Sequence, residues 1–168
     1  MIIEYDNFLT EAECNILIGH GESSVLEFGG ILRSKKKIGY RKAKVKWFEE
    51  NDFIRRIKDE VSRLSGIPVE NQEDFHFVKY SEKGEYKTHH DGSFRIKTAM
   101  IYLNDGFSGG ETYFPNIDRT IKPTIGKLII WDNLDSNGDI DRDSYHAGLP
   151  VEFGTKYIGV IWIGKTKD

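Results

Sequence analysis

Residues 73–105 read EDFHFVKYSEKGEYKTHHDGSFRIKTAMIYLND. Aromatic and β-branched residues crowd its two ends, and polar, glycine-containing stretches divide it. Strands are expected at 74–80, 86–91 and 97–103, with SEKGE as the first turn. Working outward, further short strands are expected at 111–114, 119–121, 127–132, 144–146 and 156–163. The turns NDGFSGG and SNGD separate several of them. The N-terminal part has a different rhythm. After a short strand at IIEY, Thr10 and Glu13 form a capping-box pattern that opens a helix, with Ala12, Ile16 and Leu17 as its expected buried face. Phe53, Ile54, Ile57, Val61 and Leu64 recur at helical spacing, and Gly66 and Pro68 end that helix. Helices first and many short strands after give a β-rich α+β class, with both helices buttressing the outer face of a sheet.

Within the opening segment, His89 and Asp91 are two apart. If the strand runs to 91, both side chains point to one face and His90 to the other. His146, far downstream, adds a second imidazole. Two histidines and one carboxylate form the facial set of non-haem Fe(II) oxygenases, which leaves open positions on the metal. A histidine and an aspartate two apart are also a commonplace polar strand end. The weight therefore falls on what surrounds them.

Lys156 opens the expected strand 156–163 and shares a face with Ile158, Val160 and Trp162. A lysine on an apolar stripe needs an anion if it is buried; at a strand mouth it needs only water. Tyr80 shares a face with His76 and Val78, and Tyr102 with Thr98 and Met100. Plain core tyrosines account for both equally well. Strict alternation puts Tyr86 opposite His89 and Asp91, so either a bulge intervenes or Tyr86 faces away. Trp162 reads equally as core.

The segments DNFLTEAEC, FVKYSEKGEYKTHHD, RIKTAMIYLND, GGETYFPN, IKPTIGKLIIWDN and SYHAGLPVEFGTKYIGVIWI follow one another in order across nearly the whole chain. Together they resemble the prolyl 4-hydroxylase-like branch of the 2-oxoglutarate and Fe(II)-dependent dioxygenases. The resemblance implies a double-stranded β-helix, or jelly roll, with N-terminal buttressing helices. It implies Fe(II) held by His89, Asp91 and His146. It also implies Lys156 on the distal carboxylate of 2-oxoglutarate, with Tyr80, Tyr102 and Thr112 beside that cosubstrate. Tyr86, Arg95 and Trp162 match substrate-facing positions. O2 is the second cosubstrate and ascorbate a candidate reductant. The implied reaction is hydroxylation, with a prolyl residue of a peptide or protein as the leading substrate. A free amino acid or other small molecule is the alternative. Two rival readings are a metal-binding jelly roll without activity and a zinc enzyme built on the same three residues. The zinc reading gives Lys156 and the paired glycines no task.

The remaining motifs point elsewhere. His90 and His76 read as structural, and His20 lies near a helix end, where it favours the dipole. Residues 133–144 mimic a calcium loop, but Ser144 stands where a bidentate glutamate belongs. SKKK at 34–37 reads as a solvated loop. Residues 21–47 read either as a basic lid over the site or as ordinary edge strands. At 168 residues, the whole span 1–168 is expected to form one domain. A net charge of −3 gives no push toward nucleic acid or an anionic membrane. Cys14 is the sole cysteine, so no intrachain disulfide can form. No signal peptide or membrane-spanning run is visible, and a cytoplasmic location is expected. Oligomeric state is not legible from the sequence.

Overall fold

The apolar strands of this chain alternate between two cores. Ala99, Ile101, Leu128, Ile130, Ile161 and Ile163 face one, where the helices pack. Met100, Tyr102, Ile129, Trp131, Val160 and Trp162 face the other, between sheets. A strand covered on both faces reads as a nearly continuous apolar run, which is why LIIW and YIGVIWI show so little polar alternation.

The computed structural model describes residues 1–28 and 40–165. In chain order the elements are β1 (Ile2–Tyr5), α1 (Glu11–Glu22), β2 (Glu27–Phe28), β3 (Lys44–Phe48) and α2 (Asp52–Ser65). Next come β4 (Phe75–Tyr80), β5 (Tyr86–His89), β6 (Arg95–Tyr102), β7 (Ser108–Gly109) and β8 (Thr112–Phe114). The last five are β9 (Arg119–Ile121), β10 (Leu128–Asp132), β11 (His146–Gly148), β12 (Val151–Phe153) and β13 (Lys156–Gly164). The major sheet has the order β1-β10-β6-β13-β4-β3-β2. A four-stranded sheet, β5-β11-β8-β9, lies opposite, and β12-β7 closes one end. This is the double-stranded β-helix, with both helices against the outer face of the major sheet.

Both helices start as their sequences dictate. Thr10 Oγ1 accepts the Glu13 N–H, and Glu13 Oε1 accepts the Thr10 N–H. Asn51 caps α2 by accepting the Ile54 N–H, and Gly66 ends it at φ 72°. Such a cap is worth about 1 kcal/mol. Ile54, Ile57 and Val61 bury the inner face of α2, at roughly 1.5–3 kcal/mol each.

The face expected for α1 is corrected. Ala12 is exposed, and so is Ile16. Leu17 is buried as expected, and Cys14 and Gly21 take the other inward positions. Gly21 decides the rotation: a Cβ there would stand 2.3 Å from the Phe77 ring, so α1 can lie close on β4 only through this glycine.

Two strand expectations also change. Residues 142–144 form a 3-10 turn, in which Asp141 accepts the Asp143 N–H, so β11 begins only at His146. β5 stops at His89, short of Asp91. Of the segment 21–47, β3 pairs with β4, and β2 beyond it forms the edge of the major sheet. Residues 29–39, including SKKK and the middle of the expected lid, lie outside the described residues.

Candidate active site

Antiparallel pairing of β5 and β11 sets His89 directly opposite His146. Their ring centroids are 4.3 Å apart. The strand ends at His89, and Asp91 follows two residues on, before the turn at residues 93–94. Asp91 joins His89 in the cluster while His90 turns away, as the two-residue spacing predicts, although the strand itself stops short of Asp91. Its Oδ1 lies 3.5 Å from His89 Nε2 and 3.9 Å from His146 Nε2. One donor atom from each residue falls within 4.8 Å of the others.

The imidazoles are oriented from behind. His89 Nδ1 meets the Lys87 carbonyl at 2.7 Å, and His146 Nδ1 meets the Ser144 carbonyl at 2.9 Å. A carbonyl accepts only, so each Nδ1 carries the proton and each Nε2 presents its lone pair to the cluster. Burial, reinforced by the charge of His89, lowers the His146 pKa to about 4. This leaves the neutral form that binds a metal. Burial pushes the Asp91 carboxyl up, but the two imidazoles and the Thr98 hydroxyl outweigh it and hold the group well below the usual carboxylate range. The donor set suits a divalent cation with open positions, so Fe(II) fits.

Lys156 lies at the start of β13, opposite Tyr80. It is 2 % exposed, and among the described residues no carboxylate lies within ion-pair distance. Its ammonium sits over the rings of Tyr80, at 4.9 Å, and Tyr102, at 5.8 Å. Burial lowers its pKa to about 7. A buried cation without an anion is a costly arrangement, and it fits a pocket completed by an acidic ligand. The second glycine of GGET makes room for it. Gly110 adopts φ 70°, and a Cβ there would stand 3.1 Å from Lys156 Cδ.

Lys156 and the three candidate ligands line one cavity, with Tyr80, Tyr86, Thr112 and Trp162 also in its walls. Tyr102 stands behind the wall, and its hydroxyl bonds Thr112 Oγ1 at 2.6 Å. Tyr86 faces the cluster because the register shifts between β5 and β11: His146 pairs with His89, yet Gly148 pairs with Tyr86. Four residues of β5, 86–89, match three of β11, 146–148, which is a bulge. The Tyr86 ring stacks on His89 at 3.5 Å.

Arg95 lies outside this cavity, in an adjoining groove with Trp47, His76 and Phe94. Glu73 accepts its Nε and Nη2 protons, at 2.6 and 2.8 Å, the Asp91 carbonyl accepts from its Nη1 at 3.3 Å, and the guanidinium stacks on Trp162 at 3.9 Å. His90 turns away from the cluster, accepting the Gly92 N–H and meeting Tyr145. His76 is packed between Trp47 and Trp162. His20 lies edge-on to Phe48. The calcium-like loop is closed on itself, with Asp135 Oδ1 accepting the N–H groups of Asn137 and Asp139.

Sequence reading missed Arg41, which lines both cavity and groove and sits over the Tyr86 ring at 4.8 Å. It also missed Thr98 and Asn133, which are buried beside Asp91. No spacing motif marks Arg41 or Thr98, and the calcium-like spacing that includes Asn133 gives no hint of this role; the β-sheet register and the chain turns bring them in.

Comparison with known proteins agrees with this geometry. The model of the 2OG-Fe(II) oxygenase superfamily matches residues 75–164. A provisionally named prolyl 4-hydroxylase of Acanthamoeba polyphaga mimivirus is 28 % identical over 179 residues, covering 96 % of this chain and 73 % of its own length. Human prolyl 4-hydroxylase subunit alpha-1 is 26 % identical over 182 residues, covering 96 % of this chain; the chain spans only 34 % of that subunit. The crystal structure of the viral collagen prolyl hydroxylase from Paramecium Bursaria Chlorella virus-1, solved as its 2OG complex, superposes with a TM-score of 0.79. It is 27 % identical, with 99 % of this chain and 96 % of that one covered. Fe(II), 2-oxoglutarate and O2 are accordingly the reagents of this fold, and the match over the β-rich part makes the assignment plain: the chain belongs to the 2OG-Fe(II) oxygenase superfamily.

Proposed function

We propose that this chain hydroxylates a prolyl residue within an extended peptide or protein segment. The observation that carries the reading is the groove that opens onto the cavity. Arg41, Tyr86 and Trp162 border both, and Trp47 and Phe94 extend the groove with exposed aromatic surface. Three buried polar atoms of residues lining it, Arg41 Nε, His76 Nδ1 and Trp162 Nε1, have no hydrogen-bond partner among the described residues. Buried polar groups normally find one, and an extended peptide offers carbonyls and N–H groups at regular spacing. The related enzymes named above as prolyl hydroxylases support the same substrate class.

In this reading His89, Asp91 and His146 hold Fe(II), with the imidazole tautomers set by the carbonyls of Lys87 and Ser144. Lys156 receives the distal carboxylate of 2-oxoglutarate. Tyr80 and Thr112 wall that site, and Tyr102 positions Thr112 through its hydroxyl. When bound, Fe(II) and 2-oxoglutarate supply the oxidative chemistry: the oxoacid becomes succinate and CO2, and O2 delivers one oxygen atom to succinate and one to the hydroxylated substrate. The protein's share is orientation and exclusion of side reactions. Tyr86, stacked on His89, and Trp162, stacked beneath Arg95, form the walls past which a prolyl ring reaches the cluster. Arg95, held by Glu73 and by the Asp91 carbonyl, keeps Trp162 in place beside the groove.

The test is a peptide panel. Proline-containing peptides, their alanine counterparts, free proline and other free amino acids are incubated with Fe(II), 2-oxoglutarate and O2. Succinate is quantified and products are sequenced by mass spectrometry. The reading expects one added oxygen on a peptidyl proline and little turnover with free amino acids. The reverse pattern establishes the small-molecule alternative. A cytoplasmic location is proposed alongside, supported by the lone, buried Cys14.

A further inference from the structure

The loop between β10 and β11, residues 133–145, carries polar groups that the mechanism above leaves unused. Thr98, on β6, donates its hydroxyl proton to Asp91 Oδ2 at 2.6 Å. Asn133, at the start of the loop, donates its side-chain amide to Thr98 Oγ1 at 2.8 Å. The order matters. Because Asn133 supplies a proton to the hydroxyl oxygen, the one hydroxyl proton is left for Asp91. Oδ2 is then held, and Oδ1 is the oxygen facing both Nε2 atoms. At the far end of the same loop, Ser144 donates its hydroxyl to the Asp141 carbonyl at 2.7 Å, and its own carbonyl accepts the His146 Nδ1 proton. The Asp141 N–H bonds the Asn133 carbonyl at 2.9 Å, tying the two ends together. Thr98, Asn133 and Ser144 are each no more than 2 % exposed.

We propose that the Asn133–Thr98–Asp91 relay fixes the carboxylate as a single-oxygen ligand, and that the loop is a clamp setting Asp91 and His146 in one geometry. The calcium-like spacing of its acidic residues is then the signature of a tight, self-bonded loop whose task lies at its two buried ends. Thr98 and Asn133 are positioning residues: they act through Asp91. The proposal rests on the reading of His89, Asp91 and His146 as metal ligands.

The experiment measures Mn(II) and anaerobic Fe(II) affinity of the full chain by competition with a chromophoric chelator. Thr98→Val removes the hydroxyl at constant shape, and a loss of about 10–100-fold is expected, the usual effect of deleting a partner behind a ligand. Thr98→Ser keeps the hydroxyl and is expected within about threefold of the parent, by the same reasoning. Asn133→Asp replaces the donor by an acceptor that competes for the Thr98 proton. The relay predicts weaker metal binding, whereas an added negative charge acting alone would tighten it. Parent-like affinity in Thr98→Val overturns the proposal, as does equal loss in Thr98→Val and Thr98→Ser. If Thr98→Val does not fold, Asn133→Asp decides, and unchanged or tighter binding there overturns it. His146→Ala is the control for the underlying reading: full metal affinity in that variant sinks the ligand assignment itself, independently of the relay.

Discussion

Lys156→Met should stabilise the empty protein and abolish its response to 2-oxoglutarate. Lys156 is almost fully buried and has no carboxylate partner among the described residues. Burial lowers its pKa from 10.5 to about 7. The unfolded chain keeps the proton up to pH 10.5, and the folded one releases it above about 7. The penalty is therefore full below pH 7 and fades as pH rises toward the unfolded value. At neutral pH it is on the order of 4 kcal/mol, at about 1.4 kcal/mol per pH unit. Cation–π contacts with Tyr80 and Tyr102 offset part of this. Methionine fills similar volume without the charge, so a net gain of roughly 1–3 kcal/mol is expected. For a chain of this size that is about 3–10 °C in melting temperature. The parent, loaded with Fe(II) under anaerobic conditions, should gain about 2.7 kcal/mol from 2-oxoglutarate at a hundredfold excess over Kd. The variant should gain almost nothing while still binding metal. Differential scanning calorimetry of both proteins, with and without cosubstrate, reads these quantities. An empty variant that melts below the parent refutes the burial argument. A variant that keeps the full 2-oxoglutarate response removes Lys156 from the pocket's task.

Further outcomes follow from the same geometry. His146→Ala should lose metal binding, and His90→Ala should keep it, since His90 bonds only the Gly92 N–H and meets Tyr145; equal loss in chelator competition would mean the metal face is misassigned. Binding of 2-oxoglutarate should take up a proton at Lys156, so affinity should fall by up to about tenfold per pH unit above pH 7. Calorimetric titrations in buffers of different ionisation enthalpy measure that uptake, and a Kd flat from pH 7 to about 9 speaks against it. Gly159→Ala should cost about 1–3 kcal/mol or more through overpacking, because the new Cβ would stand 2.1 Å from the Phe75 ring; an unchanged melting temperature would contradict the close approach of β13 and β4.

The chemistry-bearing residues were legible because their types are rare and their roles leave few choices. A histidine and an aspartate two apart, a distant second histidine, and a lysine at the head of an apolar strand are visible in one dimension. Residues whose role is created by pairing were not. Thr98 reads as one more β-former until β6 and β10 align and the loop after β10 brings Asn133 beside it. Tyr86 could not be placed without the register shift against Gly148. Arg41 sat in the basic stretch where neither helical nor strand periodicity emerges, and its bridge to Tyr86 is a tertiary event. Helix α1 was misoriented because apolarity suggested Ile16, while the packing depends on the absence of a side chain at Gly21. The expected strand at 144–146 failed for a local reason: Asp141 caps a turn there and delays the strand to His146.

The central claim is that His89, Asp91 and His146 present Fe(II) to 2-oxoglutarate in a pocket completed by Lys156. The measurement that tests it most directly is the anaerobic visible spectrum of the Fe(II)-loaded protein, recorded before and after 2-oxoglutarate is added. A new metal-to-ligand charge-transfer band is expected in the parent, absent in His146→Ala and requiring far more cosubstrate in Lys156→Met. No band in the parent, with Fe(II) binding confirmed separately, would contradict the account.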